Sequence, residues 1–355
     1  MTKITIHPAW TFTNELGDRV DPHLFSLLGA VRDTGKLTLA ATRIKLSYRH
    51  AWDLLHRWST FFGGPLVAMQ RGKGAQLTPL GTTLLWAEQR TEASLFPQLE
   101  NIASELNIEI GRALKASQSI IRIHASHGYA IEKLPGLMRQ HGHATVDLQY
   151  MGSIAALESL SRSRCDLAGF HVPIGKLAKS LWQHYAKWIR PRQQKIIRLV
   201  LRTQGLIVPK GNPKNIQSIG DLARPGLRFV NRQATSGTRI LLDGLVNAQA
   251  IDARQIQGYE SGEFTHAAVA AFVASGMAEV GFGVEPAARQ FKLDFVPIIK
   301  ERYMLACRTG TLERASIQEL VALLKGNEFS QIIARLPGYA PDAPGTVESI
   351  RQAIP

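Results

Sequence analysis

The chain has 355 residues, 45% hydrophobic and 20% charged, and 42 Lys+Arg against 28 Asp+Glu give a formal net charge of +14 at pH 7. This composition fits a globular protein rather than a disordered or membrane one, and the length suffices for two domains that each bury a core. No window holds the roughly 20 uninterrupted apolar residues of a membrane helix, the start lacks the apolar run of a secretory signal, and the two cysteines, Cys165 and Cys307, form no disulfide framework; the expected home is a reducing cytoplasm, without membrane contact.

From about residue 20 to 85 the pattern is short helices, a turn and a small polar hairpin. Residues 37–46 read as a short helix in which Ala40 and Ala41 allow close crossing. Ser47 is a good N-cap for a second helix over 48–60, whose buried face carries Ala51, Leu54, Leu55 and Trp58 at helical spacing. That leaves Tyr48, Arg49, His50 and Asp53 near its exposed amino-terminal end, while Trp52, Trp58 and Trp86 are expected in the core. Residues 66–78 read as a hairpin whose tip carries Arg71, Lys73 and two glycines. From about 80 to 114 one long helix is expected, kinked or broken at Pro97. Leu95, Leu99, Ile102, Leu106 and Ile110 or Ala113 recur along it at steps of three and four. Such a seam must be buried, economically against a second copy of the chain, or else on its own domain.

Beyond about 118 strands and helices alternate. Strands are expected at 120–124, 146–150, 166–170, 199–208, 227–230 and 280–283, and helices at 130–140, 154–160, 238–247 and 266–275. The alternation predicts an α/β domain with mostly parallel sheets, and its length suggests two lobes. The Pro- and Gly-rich tail, 337–355, is expected to lie over the surface.

Charge is unevenly placed. Between Lys36 and Arg90 stand eight Lys/Arg (Lys36, Arg43, Lys45, Arg49, Arg57, Arg71, Lys73, Arg90) against two acids, Asp53 and Glu88. This stretch coincides with the helical pair and hairpin, so double-stranded DNA is the expected acidic partner. Ser47, Tyr48, Arg49, His50 and Arg57 would sit at or near the groove, with Arg71 and Lys73 of the wing on phosphates. The run Ser47-Tyr48-Arg49-His50-Ala51-Trp52 and the wing resemble the amino-terminal domain of molybdate-responsive ModE regulators, a relative of the LysR-type reader. That resemblance implies a dimer placing two recognition helices in successive major grooves about 34 Å apart. The long helix is similar to the linker through which LysR-type regulators dimerise, so a homodimer or homotetramer is expected. A second basic stretch, 176–214, has ten Lys/Arg and no acid; a solvated face and an electrostatic role for ligand or DNA both stay open.

The segment Asn231-Arg232-Gln233-Ala234-Thr235-Ser236-Gly237-Thr238-Arg239 follows a predicted strand and opens a predicted helix, where free N–H groups and the positive dipole end favour an anion. Taken alone, Ser236-Gly237-Thr238 is as readily a helix cap. Other polar groups cluster at strand ends and helix starts, where open α/β sheets bind ligands: Ser126 and His127, Ser153, His171, Gln204, and Thr265 with His266. Together these segments resemble the periplasmic-binding-protein-like domain related to molybdate- and tungstate-binding proteins, over roughly 118–310. The matching stretches are Arg202-Thr203-Gln204-Gly205-Leu206-Ile207-Val208, Gly211-Asn212-Pro213-Lys214, the segment 231–239, Phe264-Thr265-His266, and Leu293-Asp294-Phe295-Val296-Pro297 with Glu301-Arg302-Tyr303. The resemblance implies two lobes closing on a small anionic effector, molybdate or tungstate first, with a larger anion such as a molybdenum-cofactor precursor as the alternative. One departure stands out: an acid is usual after the family's Ser-His, and this chain has Gly128. The expected ligand residues are Ser126, His127, Ser153, His171, Gln204, Arg232, Gln233, Thr235, Ser236, Gly237, Thr238, Arg239, Thr265 and His266.

No enzyme chemistry is expected. His124, His127, His141 and His143 lack the cysteine or carboxylate partners of a recognisable metal site. No G-x-S-x-G elbow occurs, and Gly281-Phe282-Gly283 lacks the rest of a dinucleotide fingerprint. A transport-type solute-binding protein is the remaining rival, opposed by the DNA-reading pattern. The expected architecture is α/β with an N-terminal all-α winged helix-turn-helix (1–85), a linker or dimerisation helix (86–117), and a type II periplasmic-binding-protein-like two-lobed effector domain (118–355).

Overall fold

The computed structural model describes residues 4–10, 12–13, 23–70, 74–113 and 119–353. Two compact units emerge, His7–Leu95 on one hand and Phe96–Pro355 with Met1–Ile6 on the other.

In the first unit, helices α1 (His23–Thr34), α2 (Leu37–Arg43) and α3 (Tyr48–Phe61) precede a hairpin of β1 (Val67–Gln70) antiparallel to β2 (Gly74–Leu77). Leu24, Leu27, Leu28 and Val31 of α1 and Ala51, Leu54, Leu55 and Trp58 of α3 recur at steps of three and four and share one core with Ala40, Ala41 and Leu66. α2 stops earlier than its sequence suggests. Lys45 takes a left-handed φ of 60°, and the Leu46 N–H turns back to donate to the Ala41 carbonyl at 2.9 Å. The hairpin is anchored where Ala75 N–H donates to the Gly35 carbonyl at 2.8 Å; a β-carbon on Gly74 would stand 2.2 Å from that oxygen, so only glycine fits. Arg71 and Lys73 of the expected wing tip lie outside the described residues.

α4 (Pro79–Ala113) runs from the first unit into the second as one continuous helix with Pro97 inside it, so of the kink or break expected there the break does not occur. Its carboxyl-terminal half lies on the second unit. Asn101 plays the part of a neighbouring strand: its side chain accepts from Tyr150 N–H at 2.7 Å and donates to the Tyr150 carbonyl at 3.1 Å. Ser104 adds a 2.9 Å hydrogen bond to Asp147.

The second unit starts with β3 (Ile120–Ala125), α5 (Leu134–Gln140), β4 (Thr145–Tyr150), α6 (Ser153–Ser161), β5 (Leu167–Pro173) and α7 (Ala178–Ala186), the first lobe. Strand β6 (Gln194–Val208) crosses to the second lobe, made of β7 (Phe229–Arg232), α8 (Gly237–Ala248), β8 (Gly262–Glu263), α9 (His266–Ala274), β9 (Val280–Val284) and α10 (Glu285–Gln290). Strand β10 (Asp294–Arg308) crosses back, and α11 (Ala315–Lys325), α12 (Asn327–Ala334), β11 (Tyr339–Pro341), β12 (Val347–Ser349) and α13 (Ile350–Ala353) follow. The main strand order is β4-β3-β5-β10-β6-β9-β7-β8. Neighbours within each lobe are parallel, β3 with β4 and β5, β7 with β8 and β9, whereas β6 and β10 run antiparallel to each other and to β9 and β5. The sheet is therefore mixed rather than mostly parallel, because two 15-residue strands serve both lobes.

Alternation along these strands separates two cores. Ile197, Leu199, Ile207 and Val230 pack on one face, and Ile196, Leu206, Val208 and Phe229 on the other. The tail also departs from expectation: β11 and β12 pair with β6 instead of lying loosely over the surface, and Tyr339 is buried.

Candidate functional site: a cleft of buried cations and helix starts

Where the lobes meet, each side brings polar groups from the ends of its strands. The first lobe supplies Ser126 and His127 just past β3, Ser153 at the start of α6, and His171 on β5. Ser126 Oγ and Ser153 Oγ both lie near His171 Nδ1, at 3.4 and 3.3 Å. The second lobe supplies Arg232 at the end of β7, Gly237 and Thr238 at the start of α8, and His266 at the start of α9. Two glycines let the lobes touch. A β-carbon at Gly152 would lie 2.4 Å from the Thr235 carbonyl oxygen; one at Gly237 would lie 2.9 Å from Ser153 Oγ and 3.3 Å from both His171 Nδ1 and Tyr185 Oη. The amino ends of α6 and α8, each with free N–H groups and a positive dipole end, thus face one spot.

The crossing strands form the floor. Arg202 and Gln204 stand two apart on β6 and so share a face, and Glu301 is the register partner of Arg202 on β10. Arg202 Nε pairs with Glu301 Oε1, and Gln204 Nε2 donates to Glu301 Oε1 at 2.8 Å and to Thr238 Oγ1 at 3.0 Å. Tyr303 Oη donates to the Ser126 carbonyl at 2.9 Å and its ring lies 4.0 Å from that of His171.

Burial here is extreme for such polar groups. Arg202, Gln204, Arg232, His266 and Glu301 are each at most 2% exposed. Yet His127 Nδ1, His171 Nε2, Arg202 Nη1, Arg232 Nη1 and both His266 ring nitrogens have no hydrogen-bond partner among the described residues. Among the described residues the Arg232 guanidinium donates only to the Glu263 and Phe264 carbonyls, at 3.2 and 2.7 Å. Burial first, and then Arg202 beside it, pushes its guanidinium down to about 9. Burial and the same two arginines hold His171 and His266 well below the ordinary histidine range, so both are neutral near pH 7. Buried cationic and N–H groups with no partner are costly unless something negative meets them.

The Gly128 departure has a structural consequence. A β-carbon there would lie 3.2 Å from the Tyr303 ring and 3.5 Å from Arg202 Nη1, so glycine avoids a tight contact with that ring and leaves no side chain beside the guanidinium.

Other expected residues fall outside the cluster. Arg239 is held on the second lobe by Asp243, Glu260 and the Tyr259 carbonyl, so its charge is already matched. Ser236 Oγ caps α8 by accepting from Arg239 N–H at 3.1 Å, and Thr265 Oγ1 caps α9 by accepting from Ala268 N–H at 2.8 Å. Thr235 is exposed and Gln233 half-buried. The sequence places Arg202, Glu301 and Tyr303 in the stretches that resemble the family without counting them among the ligand residues, and it passes over Tyr185. The first could have been counted, since Arg202 and Gln204 share a strand face; Glu301 needed the register. Among the described residues no group of three or more His, Cys, Asp or Glu is placed to hold a metal.

His127 also ties the cleft to α4. Its ring stands edge-on to Phe96 at 5.6 Å and to Tyr150 at 5.2 Å, and its Nε2 lies 3.6 Å from Glu132.

In the first unit, Ser47 caps α3 by accepting from His50 N–H at 3.1 Å. Tyr48, Arg49, His50 and Arg57 are exposed, the last with its guanidinium 4.9 Å from the Trp58 ring. Trp52 corrects the sequence reading: it is 47% exposed rather than buried, and its ring lies 6.3 Å from that of Tyr48 on the outer face of α3.

A family model described as a PBP superfamily domain matches residues 135–325. The chain belongs to that family. The uncharacterized protein YvgK of Bacillus subtilis (strain 168) is 30% identical over 200 residues, covering 56% of this chain and 64% of YvgK. The molybdenum-pterin-binding protein MopB of Rhodobacter capsulatus is 31% identical over 103 residues, 28% of this chain and 38% of MopB. The chain thus spans less than two thirds of either relative. A solved structure of a Corynebacterium glutamicum OxyR mutant, bound to H2O2, aligns over 89% of this chain and 95% of its own, with a TM-score of 0.44 and 15% identity. Ser153, His171, Arg202, Gln204, Arg232, His266 and Glu301 lie within the matched segment, and Ser126 and His127 lie just before it.

Proposed function

We propose that the protein is a cytoplasmic, non-enzymatic transcription regulator that reads double-stranded DNA through its first unit and senses a small anion in the cleft of its PBP-family domain. The observation carrying the anion reading is the set of donors on Arg202, Arg232, His171 and His266, buried and unpartnered, beside the amino ends of α6 and α8. Ser126, His127, Ser153, Gly237 and Thr238 complete the proposed ligand set. A tetrahedral oxyanion of the molybdate or tungstate kind is the first candidate, supported by the resemblance to molybdate-responsive regulators and by a relative named for binding a molybdenum-pterin. A larger anion of the molybdenum-cofactor-precursor kind is the second.

The DNA reading is supported by the capped α3 with exposed Tyr48, Arg49, His50 and Trp52 at its start, next to a hairpin whose tip sequence is basic. Residues 1–85, 86–117 and 118–355 would act as reader, linker and sensor, with homodimerisation through α4. Occupancy would draw the lobes together and shift His127 against Phe96, so that α4 carries the change.

Differential scanning fluorimetry with molybdate, tungstate, sulfate and phosphate tests the sensor. An anion at 100 times its Kd adds about 2.7 kcal/mol, so a rise in Tm of several degrees is expected with at least one of them. No shift with any of them, and none with a pterin phosphate, would contradict the anion reading.

A further inference from the structure

The cleft holds unmatched acceptors as well as unmatched donors. Glu301 Oε1 already accepts from Arg202 and Gln204, while Glu301 Oε2 has no partner among the described residues. Gln204 presents the same problem: its Nε2 serves both Glu301 and Thr238, which fixes the amide orientation and leaves Oε1 buried without a donor. Turning that amide over would set its oxygen against the Glu301 carboxylate. Both residues are fully buried on the floor of the cleft, and Glu301 lies within electrostatic range of Arg232 as well as Arg202.

A fully deprotonated tetrahedral anion offers acceptors only. It would match the arginines but leave Glu301 and Gln204 unmet, and it would meet a carboxylate of its own sign. We infer that this cleft is built for an anion that also carries a hydrogen-bond donor, with Glu301 and Gln204 as the residues that select for it. The inference rests on the anion reading above and reorders the candidates within it, setting a donor-free oxyanion of the molybdate or tungstate kind behind a larger anion of the molybdenum-cofactor-precursor kind or a protonated oxyanion. A protonated oxyanion and a phosphorylated heterocycle bearing N–H groups share this chemistry. A buried acceptor that must be matched discriminates strongly against a ligand lacking the donor.

Isothermal titration of the full chain at pH 7.5 separates the classes. The donor-bearing probes are inorganic phosphate, arsenate and a pterin monophosphate; the donor-free probes are molybdate, tungstate and sulfate. The best donor-bearing probe should bind at least about a hundredfold more tightly than the best donor-free one. Phosphate as the best ligand would indicate a free oxyanion, and the pterin phosphate a heterocyclic ligand. Glu301→Gln, whose amide can donate where the carboxylate accepts, should bring that ratio below about tenfold. Donor-free anions binding as tightly as the others in the wild type, or a ratio unchanged in a folded Glu301→Gln, would overturn the inference and leave the anion reading standing. Failure of all six probes would remove both. The wild-type ratio decides alone should the variant not fold.

Discussion

Arg232 is buried, its guanidinium bonded among the described residues only to two carbonyls, and it stands close enough to Arg202 for each to raise the cost of the other's charge. A buried cation short of partners weakens the ligand-free fold and is the group with most to gain from an anion. Arg232→Met should therefore leave the ligand-free Tm unchanged or higher while weakening the best anion by roughly ten- to a hundredfold, the worth of a charge-assisted hydrogen bond or two. A loss of stability without loss of affinity, by calorimetry on the same samples, would contradict this role. His171 and His266 give a pH signature with a defined sign. Their folded values are depressed below the unfolded one of about 6.5. As pH falls through that value the unfolded chain takes up protons that the folded chain refuses. Stability is then lost, by up to about 1.4 kcal/mol per pH unit for each proton, until the depressed folded values are passed. Urea midpoints at pH 7.5 and 5.5 should show this drop, and His266→Asn should make it smaller. At this scale the sequence disclosed the helix-start residues and the strand-end histidines, because local rules place them. It hid Glu301, which reaches the floor only through pairing with Arg202 across 99 residues of chain, and it could not say that Arg239 would be neutralised by Asp243 and Glu260.

The helices followed their periodicity closely: α3, α6, α8 and α9 each begin and end within about two residues of the pattern expected of them. Long-range pairing was less legible. Strand β10 was missed as an element, because Lys300, Glu301 and Arg302 interrupt its apolar pattern while its neighbours β5 and β6 give it partners along its length. The tail looked like surface on composition, yet β6 offers an open flank below its pairing with β9, and β11 and β12 fill it. On α4, Ile102, Leu106 and Ile110 are 48, 37 and 46% exposed at steps of four, one apolar stripe on the described chain. Its burial between two copies is the proposed dimer contact. Leu106→Glu should shift the protein toward monomer in sedimentation velocity and leave anion binding within about twofold, since a charge in an apolar seam costs several kcal/mol while the cleft is untouched. Unchanged mass would place the dimer contact elsewhere.

For the molecule as a whole, strands shared by both lobes and one helix shared by both units would supply the route from ligand to DNA that the proposed function requires. β6 and β10 carry Arg202, Gln204 and Glu301 where the lobes meet. α4 bears Phe96 against His127 at the rim and continues into the first unit. The sequence reading divides the chain into 1–85, 86–117 and 118–355, and the boundary between the compact units falls inside α4 at Leu95–Phe96, a place no composition shift marks because the helix is continuous there.

Coupling between cleft and operator is the claim on which these roles depend, and fluorescence anisotropy on an operator fragment, with and without saturating anion, measures it. Wild-type affinity should change at least about fivefold, the lower end of ordinary allosteric coupling, and Phe96→Ala should bring that change below about twofold while anion binding persists. An operator affinity indifferent to an anion that demonstrably fills the cleft would contradict the account.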